Sequence, residues 1–352
     1  MRGAPNDILR RVNQEPARNI YFELTEVFNA RAPNVALASG QAVVYYRIAI
    51  MSKDGDWIIR EAADACDAVL AELEGRGARY RPAAPLDVRW LAGGWSSHFE
   101  FADARARRVR CDFASRPPRV PRAAIEQLFA PATTPPARHV VDIPTLIALK
   151  QTQRAKDYAV IAELAARLPP DQEIEATTDP DRILVLAPAL GRRSSRPAVR
   201  AARHAPVDRR AVVVALAEEI DALQQADRQR VAAYETAAQP FLQACRAADV
   251  STLPLRLAHA RMVEMAERLL PRTVNWENAR AVLSDDDVNL GEMSDEELEA
   301  AWDLWFDLAQ TTNESDPPYT HGALAYASMG VSAKEWPATQ PPGHGTDVSS
   351  RE

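Results

Sequence analysis

Cysteine is scarce in this chain: three thiols, Cys66, Cys111 and Cys245, in 352 residues. An odd and dispersed set offers no disulfide framework and no paired spacing for zinc, so the three read as reduced packing residues. Histidine is as thin, with six residues and no helical His-x-x-x-His pair. No apolar run approaches the ~20 residues that a bilayer requires. The run Ala211–Ala217 is far shorter. No basic stretch followed by an apolar one opens the sequence, which predicts no signal peptide, a cytoplasmic location and no membrane partner. Aromatic residues make up only 7%. The arginine run Arg105, Arg107, Arg108, Arg110, Arg116, Arg119 and Arg122 therefore lacks the interleaved rings that stack single-stranded bases. It reads as a solvated face, with RNA or a triphosphate as the alternative contact. No Ser-His-Asp order with supporting context is present, so covalent catalysis has no candidate. Gly93-Gly94-Trp95-Ser96-Ser97-His98 has suggestive residue types. It falls between expected strands at Asp87–Leu91 and His98–Ala102 and reads as a hairpin or a substrate-facing loop.

What the chain does have is three well-placed carboxylates. Asp54 and Asp56 stand in Ser52-Lys53-Asp54-Gly55-Asp56-Trp57, and Asp112 in Val109-Arg110-Cys111-Asp112-Phe113. Residues i and i+2 of a strand share a side, so the first two carboxylates would repel each other unless a divalent cation lies between them. A third on a neighbouring strand would complete a two-metal site for moving a phosphoryl or nucleotidyl group. Upstream, the apolar run Val35–Ala38 is followed by Ser39-Gly40 and then Ala42-Val43-Val44-Tyr45-Tyr46. A strand, a tight turn and a helix opening present free backbone N–H groups to a phosphate. The competing reading makes Lys53-Asp54-Gly55-Asp56 a solvated hairpin turn between Ile48-Ala49-Ile50 and Trp57-Ile58-Ile59. For Asp112 the competing reading is an exposed strand position facing a cross-strand Arg.

Pro144 to Leu168 reads as one helix, capped by Asp142 or Thr145, with Pro144 suited to its first turn. Leu146, Leu149, Val160, Ile161 and Leu164 form its apolar stripe at ~100° per residue, and Lys150 and Asp157 fall inside that stripe. Charges there are costly unless they pair or line a cleft. Two readings stay open: an internal Lys–Asp pair shared with Arg154, or a Lys150 that reaches phosphates while Asp157 orients Lys150 or Arg154.

In this order the motifs resemble the nucleotidyltransferase-fold superfamily, nearest the abortive-infection-type toxin nucleotidyltransferases and their uncharacterised relatives. The matching positions are Ser39-Gly40, Ser52-Lys53-Asp54-Gly55-Asp56, Asp112, Lys150 and Arg154-Ala155-Lys156-Asp157, all within about residues 30 to 170. Two places depart from the pattern: Ile50 where the family has Arg, and Val160 where it often has a further Asp. The resemblance implies an α/β fold, a mixed sheet flanked by helices and followed by a mainly α-helical C-terminal region. It implies Mg2+ on Asp54, Asp56 and Asp112, an NTP substrate held by Ser39, Gly40, Ser52, Lys150, Arg154 and Asp157, and catalysis by Asp54, Asp56, Asp112 and Lys150. The nucleotidyl group would pass to a hydroxyl of RNA, protein or a small molecule, with a toxin role and an antitoxin or regulatory partner following from the family alone. The alternative is a binding or regulatory protein that keeps the fold without turnover.

The chain divides into an α/β domain with an N-terminal helix over 1–168, a linker or irregular segment over 169–207, a helical acidic domain over 208–337 and a disordered tail over 338–352. Residues 7–30, Arg60–Glu74 and Arg122–Phe129 read as helices. Prolines and polar residues mark 169–208 as irregular, and Pro240 and Pro254 break the helical stretch 208–270. From Pro271 onward, 16 Asp and Glu stand against 4 Lys and Arg. That asymmetry predicts an acidic end that covers a basic face or binds a partner, or is simply solvated. Within it, Ser294–Leu308 reads as a helix with a capping box at Ser294 and Glu297.

Overall fold

The computed structural model describes residues 19–130, 139–191, 194–204 and 206–275. Asn19 accepts the Tyr21 N–H at 3.0 Å and so caps α1, Ile20–Phe28. β1, Val35–Ala38, is buried on both faces and leads without a loop into α2, Ser39–Tyr45. There follow β2 (Gly55–Ile59), α3 (Ala63–Gly75), β3 (Arg79–Tyr80), α4 (Val88–Leu91), β4 (Ser96–Ala102) and β5 (Arg108–Ala114). These strands form one five-stranded mixed sheet in the order β1-β2-β5-β4-β3, parallel only between β2 and β5. Residues 139–141 run along the free edge of β1, where the Leu37 N–H donates to His139 O at 2.9 Å and the Val141 N–H to Leu37 O at 3.0 Å.

The sheet separates two cores. On one face Trp57, Phe99, Cys111 and Phe113 pack on Tyr21, Leu24 and Phe28 of α1 and on Cys66, Val69, Leu70 and Leu73 of α3. Trp57 and Phe113 stack with centroids 5.3 Å apart, and Phe28 meets Trp57 edge-on at 5.5 Å. On the other face the apolar cover reaches only Ala36, Ala38 and Ile58 of β1 and β2. Beyond Ile58 that face belongs to Ser96, His98 and Glu100 of β4 and Arg108, Arg110 and Asp112 of β5. Both strands alternate buried and partly open residues with period two.

The second core is helical. After α5 (Arg122–Leu128) come α6 (Ile143–Lys150) and α7 (Lys156–Ala165), where one helix over Pro144–Leu168 is expected. Asp142 caps α6 by accepting the Thr145 N–H at 2.8 Å. The helix stops at Lys150 because residues 150–154 fold around the Asp157 carboxylate, as described below. Residues 169–207 are not irregular: they hold α8 (Pro170–Ala176), α9 (Pro180–Leu190) and α10 (Pro197–Ala201). Each opens on a proline, whose missing N–H costs nothing in a first turn. The prolines that mark a loop in the sequence are helix starts in the fold. Pro240 likewise fails to break α11, which runs from Arg209 to Ala247. Its ring is exposed, while Ala238 and Phe241 beside it are buried and hold the helix in place. The break comes at Asp249, in the left-handed region at φ 47°. Pro254 then precedes α12, Leu255–Leu269, whose Leu255, Ala258, Met262, Met265 and Ala266 join the aromatic core.

Asp87–Leu91 is also helical rather than extended, since the Asp87 carboxylate accepts the Arg89 N–H at 2.9 Å and caps α4. The Gly93-Gly94-Trp95 segment is neither a hairpin nor a loop open to substrate. The chain leaving α12 lies across it, with Trp90 Nε1 donating to Leu270 O at 3.2 Å and Trp95 Nε1 to Pro271 O at 2.8 Å. A Cβ on Gly93 would stand 1.5 Å from the Arg272 carbonyl oxygen, so only glycine admits this approach. The expected helices at Arg60–Glu74 and Arg122–Phe129 are α3 and α5. Of the 7–30 stretch, Ile20–Phe28 is helical and 1–18 lies outside the described residues, as do Ser294–Leu308 and the 338–352 tail. No helix among the described residues is long and apolar enough to cross a membrane.

Candidate functional site

One row of residues crosses the sheet: Ala38, Asp56, Asp112 and His98 are successive cross-strand partners on β1, β2, β5 and β4. Directly opposed residues share a face, so the two carboxylates and the imidazole stand side by side opposite the aromatic core. Asp54 lies just before β2 and Arg110 two residues before Asp112. These two meet at 3.4 Å. Arg81, following β3, meets Asp112 at 3.0 Å. Among the described residues no hydrogen bond or ion pair reaches the Asp56 carboxylate.

The protonation of the row follows from that layout. Burial, then the neighbouring charge of Asp112, pushes the Asp56 carboxyl up to about 6, although Lys150 and Arg154 pull the other way. Burial also pushes Asp112 up to about 6 against the pull of Arg81. His98 is brought down to about 4 by burial and by Arg81, so it is neutral near pH 7. Its Nε2 lies 3.0 Å from Ser96 Oγ.

The segment that delivers Asp54 and Asp56 is pinned from two sides. Gln41, buried in α2, donates through Nε2 to Ser52 O at 2.7 Å and accepts from Asn19 Nδ2 at 2.9 Å. The Tyr21 hydroxyl donates to Lys53 O. Gly40 allows the closest approach: a Cβ there would sit 2.3 Å from Ser52 Oγ. Ser39 before it takes a left-handed φ of 46°, a strained choice for a non-glycine residue. The Ser39-Gly40 turn is thus seated beside the Asp56 end of the row, against Ser52. The hairpin reading of Lys53–Asp56 does not hold, because β2 pairs with β1 rather than with residues 48–50, and Ile50 is 98% exposed.

The cationic side comes from the α6–α7 junction. Lys150 Nζ donates to Asp157 Oδ1 at 2.9 Å, while Thr152 Oγ1 and Arg154 Nε donate to Oδ2 at 2.6 and 2.9 Å. Burial opposes the Asp157 charge, but Lys150, Arg154 and Thr152 overcome it and hold the carboxyl below its ordinary range. Lys150 and Asp157 are both buried. The internal-pair reading of these residues is therefore correct as geometry. The charges of Lys150 and Arg154 also act on Asp56, which ties the junction to the row. From behind, Asp227 of α11 accepts the Gln153 N–H at 3.0 Å and pairs with Arg230 at 3.1 Å. Arg119 donates to Leu223 O at 2.8 Å and to Gln151 O.

The fold brings Asp54, Asp56, Asp112, Ser39, Gly40 and Ser52 to one end of the sheet, with Lys150, Arg154 and Asp157 acting on it. It does not gather the three carboxylates around one point: among the described residues no group of three or more His, Cys, Asp or Glu side chains stands ready for a metal ion. Asp54 and Asp112 are instead turned to arginines. The donor chemistry still fits a hard dication, because Asp56 is a shielded carboxylate without a counter-ion beside a second raised carboxyl. The alternative reading of Asp112 as paired with an Arg from another strand is met by Arg81, though sequence reading does not single out Arg81 and misses His98 and Asp227. The alternation Ser96-His98-Glu100 is the one local signal that could have found His98. Most of the remaining arginine run is engaged with acids: Arg107 with Asp103, Arg108 with Glu100, Arg116 with Glu61 and Arg122 with Glu126.

No family model matches the chain, and no curated protein matches it in sequence. Among solved structures it is similar to the crystal structure of a "putative nucleotidyltransferase from H. pylori", with 11% identity and a TM-score of 0.32 over 60% of this chain and 94% of that one. Values that low transfer neither fold nor chemistry.

Proposed function

We propose that the carboxylate row is the centre of a magnesium-dependent nucleotidyltransferase, which moves a nucleotidyl group from an NTP to a hydroxyl acceptor of RNA, protein or a small molecule. The observation that carries this reading is Asp56: a shielded carboxylate with no partner among the described residues, next to Asp112 in register, under the charges of Lys150 and Arg154. A structural ion pair would have satisfied it. Magnesium bound by Asp56 and Asp112, with Asp54 joining, would supply charge neutralisation for in-line displacement at the α-phosphate. The backbone N–H groups at Ser39-Gly40 face the phosphates at the start of α2, with the Ser52 hydroxyl against them. Lys150 supplies a fixed positive charge, and Asp157 and Thr152 hold it in place so that no reorganisation is needed when the substrate arrives. Asp112 would take the acceptor proton.

A second reading is a nucleotide-binding protein without turnover. The arginine pairing of Asp54 and Asp112 and the residues Ile50 and Val160 favour it. Thermal stabilisation by each NTP, with and without magnesium, separates metal–nucleotide binding from an empty scaffold. The wild type is expected to gain several degrees with one NTP plus magnesium, and Asp54→Ala/Asp56→Ala to gain nothing. No shift with any NTP would sink both readings. A shift without transfer to any acceptor would leave the second.

A further inference from the structure

We infer that Arg81 and Arg110 are exchangeable counter-ions: they hold Asp112 and Asp54 while no cation is bound, and they turn to the triphosphate when a cation takes those carboxylates. The inference deepens the proposed function and rests on it. Asp56 and Asp112 of the row and Asp54 just before β2 stand beside two guanidiniums, which meet Asp54 and Asp112 at 3.4 and 3.0 Å. Among the described residues these carboxylates are not gathered into a ready metal site.

Both arginines stand on the open side of the sheet. Arg110 lies two residues from Asp112 on the same face of β5, and Arg81 lies beside His98, where its N–H donates to His98 O at 2.9 Å. Neither is satisfied by its carboxylate. Arg81 is bound to Asp112 Oδ1 through Nη1 alone, and the Arg110 contact at 3.4 Å is long for a charge-assisted bond. Arg110 Nε is buried without any hydrogen-bond partner. A guanidinium with an orphaned, buried N–H next to a weak ion pair has donors to spare for an oxyanion. The planar fork of arginine suits phosphate oxygens in particular.

The exchange follows from charge. A dication entering between Asp54, Asp56 and Asp112 would stand within a few ångströms of two guanidiniums, and like charges at that range repel strongly in a shielded site. The arginines must swing off the carboxylates, and the phosphates that arrive with the cation are the anions they meet. Cation and triphosphate then bind with positive coupling, each removing an obstacle to the other, and the coupling is reciprocal. A cation alone must displace the arginines without compensation and binds weakly.

The test uses Mn2+ as the cation and inorganic triphosphate as the anion, so that it does not depend on the base. Free Mn2+ is followed by electron paramagnetic resonance, and the ternary complex by water proton relaxation, on the full chain. Arg81→Gln and Arg110→Gln are each expected to tighten binding of Mn2+ alone by about threefold, the size of a released surface ion pair. Each is also expected to weaken binding of the Mn2+–triphosphate complex by roughly tenfold, reversing the sign of the effect. Arg81→Lys and Arg110→Lys keep the charge and should bind Mn2+ alone as the wild type does, which separates charge from packing. Gln variants that bind Mn2+ alone no better than wild type, or that keep the wild-type coupling, would overturn the exchange while leaving the proposed function standing. A wild type that binds neither Mn2+ nor its triphosphate complex would overturn both.

Discussion

Asp56→Asn should melt at a higher temperature than the wild type in the absence of metal, and should lose all stabilisation by magnesium and NTP. The substitution keeps the shape of the side chain and removes a charge that Lys150 and Arg154 offset only in part. Burial and the Asp112 charge push Asp56 up to about 6, so at pH 7 the folded protein holds an ionised carboxylate that is less stable there than in the unfolded chain. Relief of that cost is worth about 1–3 kcal/mol, or a few degrees in Tm. A stabilising substitution that abolishes ligand response marks a functional site rather than a structural one. The pH dependence has a definite sign. For a carboxyl whose folded pKa is raised, the folded state binds the proton more tightly, so stability rises as pH falls from 8 through about 6. The wild type without metal should therefore gain stability toward pH 5, and Asp56→Asn should show a smaller gain. Calorimetry across pH 5–8 with a chelator present checks both, and an Asp56→Asn variant less stable than wild type at pH 7 would refute the unpartnered charge.

Asp157→Ala should be the most damaging single change at the site. Asp157 satisfies three donors, from Lys150, Thr152 and Arg154, in a place where Lys150 is itself buried. Removing one partner of a buried pair strands the other, which costs about 3–5 kcal/mol. The expected fall in Tm is about 10 °C. The double variant Lys150→Met/Asp157→Ala should recover most of that loss, because it removes the buried Lys150 charge, while Arg154, partly exposed, can be solvated. It should nonetheless fail to bind a nucleotide if Lys150 meets the phosphates. Here the sign is opposite to that of Asp56. A carboxyl held below its ordinary pKa contributes stability above the unfolded value and loses it as pH falls through the folded one. The deficit of Asp157→Ala relative to wild type should therefore be full at neutral pH and shrink only in acid, below the ordinary carboxylate range. Chemical unfolding at pH 7 and at pH 3 measures that difference. A double variant as unstable as the single one would show that packing, not charge, holds the junction.

Local patterns carried the part of the fold where they are strongest. The run Val35–Ala38 before Ser39-Gly40 marks β1 and α2, and the alternation of Val109, Cys111 and Phe113 with Arg110 and Asp112 marks a strand with one polar face. Of the Asp54 and Asp56 pair, only Asp56 lies on the strand, and Asp54 just before it is turned to Arg110. Proline misled in both directions, because its effect depends on whether it falls in a first turn, as at Pro170, Pro180 and Pro197, or inside a helix with buried neighbours, as at Pro240. The break after Lys150 is invisible in an apolar stripe that continues through it, since it comes from a carboxylate drawing in side chains on both sides. The partners of the row are hidden for a further reason. Arg81 lies 31 positions from Asp112, and Arg110 lies 56 from Asp54. Asp227 lies 74 from Gln153. Only the sheet order and the course of α11 bring them together, and neither is written in any local stretch.

The length of α11 has a consequence for how the molecule comes apart. Its 39 residues span about 58 Å. Val212, Val213, Leu216, Ala217 and Ile220 at one end belong to the helical core, and Ala238 and Phe241 at the other to the aromatic core. Adjacent residues of β2 are divided in the same way, Ile58 to one core and Trp57 and Ile59 to the other. Neither core can melt without stripping a face from an element the other needs. The described body should thus unfold in one cooperative transition, with calorimetric and van't Hoff enthalpies in agreement. A ligand seated at the carboxylate row would then lift that single transition as a whole, protecting amide hydrogens at the far end of α11 as firmly as those beside it.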